Sequence, residues 1–156
     1  MPKTCFSSKA AFFALATHGL LSNDEKGFGV AALVLSDLVD GKEDGFLSAS
    51  QIYSYKIGAG FVILSACNTG TPGAASGMSE LASAFCYVGA DQLMLTHWEI
   101  GSGVAVKLMT QFAIDFRVKE SLPADSLRAA IDGILANPKI SRFHHPRFWA
   151  SHFIIS

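Results

Sequence analysis

Two stretches constrain the fold more than any other part of the chain: residues 11–16, Ala11-Phe12-Phe13-Ala14-Leu15-Ala16, and residues 61–64, Phe61-Val62-Ile63-Leu64. Each is a continuous apolar run of strand length with no polar alternation. A strand written this way is expected to be buried on both faces, as in a parallel sheet covered by helices. Each run stops in small polar residues, Thr17-His18-Gly19 after the first and Ser65-Ala66-Cys67-Asn68-Thr69-Gly70 after the second. Composition points the same way: of 156 residues 50% are hydrophobic and only 16% charged, so most elements must be buried on more than one side.

The rest of the chain alternates helix and strand signals. Between the two runs lies a less regular stretch with Gly27, Gly29, Gly41 and Gly45, a short apolar piece at residues 32–35 and a helix expected from Ser48 to Tyr53. Beyond Cys67, the helical spacing of Met78, Leu81, Ala82, Phe85 and Val88 predicts a helix capped by Gly89. A third strand follows at residues 92–96. A helix over residues 103–118 would bury Val104, Leu108, Phe112 and Phe116. Another begins near Pro123, turns Leu127, Ile131, Ile134 and Leu135 inward, and cannot pass Asn137-Pro138. Residues 148–155, aromatic and β-branched, read as a closing strand. This order is that of an α/β domain occupying residues 1–156, with residues 1–9 flexible.

Charge and hydropathy exclude several function classes. Twelve basic against thirteen acidic side chains leave a net charge of −1, without the basic excess of a nucleic-acid-binding surface. The mean hydropathy of +0.34 raises the question of a membrane span. The longest stretch without charge, residues 57–79, is too rich in Gly, Ser, Thr and Pro to be one, since a span needs about 20 mainly apolar residues. The amino terminus lacks the features of a signal peptide, so the expected compartment is the cytosol and the three cysteines are expected to be free thiols.

Sites in open α/β sheets gather at the carboxyl ends of the strands. His18 and Cys67 each stand at such an end. A thiol reacts as its thiolate, and an adjacent imidazole supplies both a base and an electrostatic partner. The backbone N–H groups of Gly19 and Cys67 could stabilise a developing oxyanion. Position alone also suits a small core cysteine. Cys86 is expected to pack in the core of its helix, and Cys5 to have no role. His144, His145 and His152 lack the ligand spacing of a zinc site, and no metal or organic cofactor is expected. His97 and Trp98, after the third strand, could line a substrate cleft, and His97 fits a partly buried, hydrogen-bonded structural histidine equally well. The G-x-S-x-G of an α/β-hydrolase esterase is absent.

The wording of the motifs is more specific than their positions. Phe13-Ala14-Leu15-Ala16-Thr17-His18-Gly19, Asp44-Gly45-Phe46-Leu47-Ser48-Ala49 and Val62-Ile63-Leu64-Ser65-Ala66-Cys67-Asn68-Thr69-Gly70, in this order, resemble the CHAT domain family of caspase-like proteins. The resemblance continues through Glu80-Leu81-Ala82-Ser83-Ala84-Phe85, Thr96-His97-Trp98 and His145-Pro146-Arg147-Phe148-Trp149. It implies a three-layer caspase-like sandwich with a mostly parallel sheet. It also implies a cysteine endopeptidase acting on a protein or peptide substrate, with His18 and Cys67 as the catalytic dyad and Gly19 contributing to the oxyanion hole.

Two departures from the family's pattern carry consequences. Where members commonly place an acidic pair after the tryptophan, this chain reads Trp98-Glu99-Ile100-Gly101-Ser102. A carboxylate there would receive a basic P1 side chain. Gly101 and Ser102 in its place imply a pocket for small or uncharged residues, or a binding and scaffold module that retains the fold without turnover. The family also has about two strands and helices ahead of the first histidine strand. Their absence would leave residues 11–17 as a long apolar edge, to be covered by a preceding segment, a regulatory repeat domain or a partner chain.

Overall fold

The computed structural model describes residues 12–20, 31–35, 45–67, 75–98 and 100–156. These fall into two compact units, residues 1–98 with 155–156 and residues 99–154. The expected flexibility of residues 1–9, Cys5, and the charged stretches around residues 24–26 and 37–44 lie outside the described residues.

The first unit contains β1 (Phe12–Leu20), β2 (Ala32–Val34), β3 (Phe46–Ser48), α1 (Ala49–Ile52), β4 (Phe61–Cys67), α2 (Ala75–Tyr87) and β5 (Gln92–Thr96). Its strands lie in the order β3-β2-β1-β4-β5. β1 and β4 run parallel from Phe12↔Phe61 to His18↔Cys67, and β4 and β5 run parallel from Phe61↔Gln92 to Ile63↔Met94. β2 joins β1 antiparallel at Gly19↔Leu33 and Leu20↔Ala32, and β3 joins β2 antiparallel. The sheet is therefore mixed, and the expected parallel character holds only for β1, β4 and β5. The two antiparallel strands have three residues each. Strands that short in a glycine-containing stretch leave almost no periodic signal.

The centre of the unit is apolar. Val62, Leu64, Leu93 and Met94 are buried on the two inner strands, as are Leu81, Ala84 and Phe85 of α2 and Ile52 of α1. β1 departs from the expectation of burial on both faces. Ala14, Ala16 and His18 are exposed, while Phe13, Leu15 and Thr17 are half-buried. The run that reads as continuously apolar thus alternates large residues with alanine, and the alanine face is open. Nor is β1 an edge along its whole length, because β2 covers its end at Gly19 and Leu20. Along residues 12–18 no strand among the described residues pairs on that side.

Cys86, expected in the core, is exposed. Leu81, Ala82, Ala84 and Phe85 take the buried face, and one step of about 100° beyond Phe85 carries position 86 into solvent. Helix α2 ends as its sequence dictates. Gly89 takes φ 104°, Ala90 N–H donates to Phe85 O at 3.0 Å, and Gly89 N–H donates to Cys86 O at 3.1 Å. This is the Schellman arrangement, and a Cβ on Gly89 would also stand 3.1 Å from the Ile57 carbonyl oxygen.

The second unit contains α3 (Ser102–Arg117), α4 (Pro123–Leu135) and two short 3-10 helices, Pro138–Phe143 and Pro146–Phe148; the chain ends in β6 (His152–Ile155). α3 buries Val104, Leu108 and Phe112, and α4 buries Leu127, Ala130 and Ile134. Phe116 and Ile131 are half-buried, while Leu135, expected inward, is 37% exposed in the last turn of α4. Pro123 sits at the start of α4, where its missing N–H costs nothing, and Ser126 Oγ donates back to Leu122 O at 2.9 Å. The expected closing strand is shorter than residues 148–155. Pro146 starts a 3-10 turn with the His145 side chain as its cap, and extended pairing geometry begins only at His152.

Two buried ionisable groups lie in this part of the chain. Asp115 on α3 is paired with Lys119 and accepts a hydrogen bond from the Gln111 amide at 3.1 Å. The Lys119 ammonium holds its carboxyl below the ordinary value, and the Gln111 amide adds to the effect. His152 is 7% exposed; its Nδ1 lies 3.0 Å from Ser151 Oγ, and its Nε2 has no hydrogen-bond partner among the described residues. Burial pushes the His152 imidazole down to about 4 from 6.5.

Two outcomes follow. Gly89→Ala should destabilise the protein by about 1–2 kcal/mol in urea denaturation, from the strained φ and the close carbonyl. For His152, the unfolded chain binds the proton first on acidification. Stability is therefore lost as pH falls through 6.5 towards 4, by about 3 kcal/mol over the window. His152→Gln should flatten that part of the stability profile, and a variant profile parallel to that of the wild type would refute the assignment.

Candidate active site

The parallel ladder between β1 and β4 determines what meets at the carboxyl end of the sheet. Its last pair is His18↔Cys67. Register partners on adjacent strands are about 4.8 Å apart and share a face of the sheet. The two residues singled out by their positions at strand ends are therefore direct neighbours. His18 lies on the face of Ala14 and Ala16, the open face of β1, and is exposed there.

The β2–β3 hairpin braces this end of β1. Thr17 Oγ1 donates to Val34 O, and Gly19 pairs with Leu33. His18 is thus flanked on both sides by residues tied to the hairpin. The hairpin is anchored in turn by the Gly45-Phe46-Leu47-Ser48-Ala49 segment. Gly45 takes φ 68°, a left-handed conformation that glycine adopts without a Cβ clash, and its carbonyl accepts from Leu35 N–H at 2.8 Å. Leu47 and Ala49 are buried. Ser48 caps α1 in a reciprocal box with Gln51: the Gln51 N–H donates to Ser48 Oγ at 3.3 Å, and the Ser48 N–H donates to Gln51 Oε1 at 2.8 Å. The motif is thus a turn, a buried strand and a helix cap in succession. It acts on His18 only by holding the hairpin.

On the other side of β4 the ladder is shorter. Pairing with β5 ends at Ile63↔Met94, so residues 64–67 have β1 as a strand neighbour and no bridged partner in β5. Beyond β5, His97 and Trp98 are both exposed and their rings stack, with centroids 5.9 Å apart and planes at 22°. If the β4–β5 register is continued four residues past Ile63↔Met94, Trp98 falls level with Cys67.

Gly101 and Ser102 lie elsewhere in the chain's organisation. Gly101 is the N-cap of α3, with φ −58° and ψ 137°, and Ser102 is the first helical residue; both are exposed and belong to the second unit. Glu99 and the residues that follow Cys67, Asn68, Thr69, Gly70 and Gly73, are outside the described residues. The histidines near the carboxyl terminus are engaged separately. His144 Nε2 lies 3.1 Å from Asn137 O, His145 Nδ1 accepts from Arg147 N–H at 3.2 Å, and His152 meets Ser151. Sequence reasoning missed the hairpin brace; the only signals for it were Thr17 and the Gly45 segment.

Comparison with known protein families gives a match that spans most of the chain. The model of the CHAT domain matches residues 6–156. The chain belongs to the CHAT domain family. CHAT domains are caspase-like and associated with peptidase-like function. A search of curated proteins found no match. Within the CHAT domain, a mixed sheet with helices, no helix among the described residues is long and apolar enough to cross a membrane.

Proposed function

We propose that this CHAT domain is a cysteine endopeptidase using His18 and Cys67 as a catalytic dyad. The single observation that supports the reading best is the register pairing of those two residues at the carboxyl end of adjacent parallel strands. An imidazole next to a thiol takes its proton, and the resulting thiolate is the nucleophile.

The reaction runs as an acyl transfer in two halves. Cys67 Sγ attacks the scissile carbonyl carbon, and backbone N–H groups of Cys67 and Gly19 stabilise the oxyanion. The C–N bond then breaks, the His18 imidazolium gives its proton to the departing amine, and a thioester remains. Water attacks the thioester and loses a proton to His18, the C–S bond breaks, and the carboxylic acid leaves with the thiol restored. The substrate is a protein or peptide, and no cofactor takes part. With Gly101 and Ser102 at the sequence positions where the CHAT family commonly has an acidic pair, the reading makes the P1 residue small or uncharged.

Electrophilic labelling tests the dyad. The wild type should be labelled at Cys67 by iodoacetamide faster than at the exposed Cys86, and His18→Ala should slow labelling at Cys67 at least ten-fold. Equal reactivity of all cysteines, unaffected by His18→Ala, would instead favour a binding module that retains the fold without turnover. On a peptide panel varied at P1, Arg and Lys substrates should be the slowest cleaved; cleavage fastest after Arg or Lys would overturn the pocket assignment.

A further inference from the structure

The mechanism leaves unused the stacked pair His97–Trp98. Both rings are exposed at the end of β5, and Trp98 is 41% exposed. Tryptophan has a large apolar area to gain from being covered and is enriched where polypeptides bind. Two further features of the backbone give this exposed stack a place in the site. The β4–β5 ladder ends at Ile63↔Met94, so no bridged pair closes the interval between the ends of the two strands, and counting on from that last pair would bring Trp98, two residues past β5, level with Cys67. An extended substrate crossing the carboxyl end of β4 at Cys67 would therefore have an aromatic surface on its β5 side.

Building on the proposed protease reading, we infer that the His97–Trp98 stack is a specificity platform, selecting a polypeptide that carries an aromatic or large aliphatic side chain within two residues of the scissile bond. The chemistry of the surface argues for this class. An indole and an imidazole lying nearly parallel offer a broad π face, to which flat or branched apolar side chains pack by dispersion and area burial. Nothing on the platform supplies the bidentate acceptor that an arginine side chain requires. Discrimination by such a surface is modest: apolar contacts of this size separate substrates by roughly 10- to 200-fold.

The test is the labelling rate at Cys67 with electrophilic peptide probes that share a reactive group and differ only in one flanking side chain, Phe, Leu, Gly or Glu. The wild type should react at least ten-fold faster with the Phe or Leu probe than with the Gly or Glu probe at one of the two flanking positions. Trp98→Ala should reduce that ratio to about one, and Trp98→Phe should retain most of it, which a merely structural role for the tryptophan would not produce. Iodoacetamide reports on the dyad separately. If Cys67 shows His18-dependent reactivity with iodoacetamide but the peptide probes show no apolar preference, or one that survives Trp98→Ala, the platform is wrong and the protease reading stands. If no His18-dependent reactivity exists at all, the protease reading fails and the platform fails with it.

Discussion

The parallel ladder of β1 on β4 is the constraint on which the site depends. It runs without interruption through seven pairs, from Phe12↔Phe61 to His18↔Cys67, and its register is set by the apolar residues in the middle. Val62 and Leu64 lie opposite Phe13 and Leu15, on the face that β1 half-buries. A slip of one residue would exchange the faces of β1, putting Ala14 and Ala16 where Phe13 and Leu15 now pack. It would also separate His18 from Cys67. The same hydrophobic matching that holds the sheet in register therefore sets the spacing of the two groups at its end, and chemistry there needs no separate positioning device along the strands.

What the ladder does not supply is restraint beyond its last pair. His18 is exposed, and on the side away from β4 the strand has ladder partners, among the described residues, only at Gly19 and Leu20. The hairpin provides that restraint from outside the parallel sheet. Thr17 and Gly19 are bound to β2, β2 is bound to β3, and β3 leads directly into the capped helix α1, whose Ile52 is buried. Each link is individually worth about 1 kcal/mol, the usual net value of a hydrogen bond or a helix cap. Their effect on the site is one of geometry: the residues on both sides of His18 cannot shift unless the hairpin moves with them.

The sequence was most readable where long apolar periodicity exists. β5 has the bounds its residues predict, and α3 and α4 fall within a residue or so of theirs, because each carries at least three buried side chains at regular spacing or ends in proline or glycine. Gly89 was legible for the same reason: the Schellman turn needs a positive φ. The failures have physical causes. Alanine counts as apolar in a run yet contributes little area to bury, so the open face of β1 was invisible. β2 and β3 are too short to show a period. Cys86 lies one helical step from Phe85, and helical spacing cannot say on which side a boundary position falls. His18 and Cys67 were recognisable as strand-end residues of the right chemical types, but their pairing depends on register across a separation of 49 positions, which follows from the sheet and from no local pattern.

On the protease reading, a site without a fixed carboxylate selects substrates differently from one that holds it. A buried acid that pairs with a guanidinium penalises every substrate lacking the cation, because the charge is then left without a partner, and rejection can reach several orders of magnitude. A site without such an acid can impose no such penalty. Apolar contact rewards the correct side chain by only about 1–3 kcal/mol and punishes the wrong one little. On the protease reading, then, local subsites give this domain a loose preference. Tighter discrimination has to come from a larger contact with the substrate protein or from limits on when the dyad is accessible.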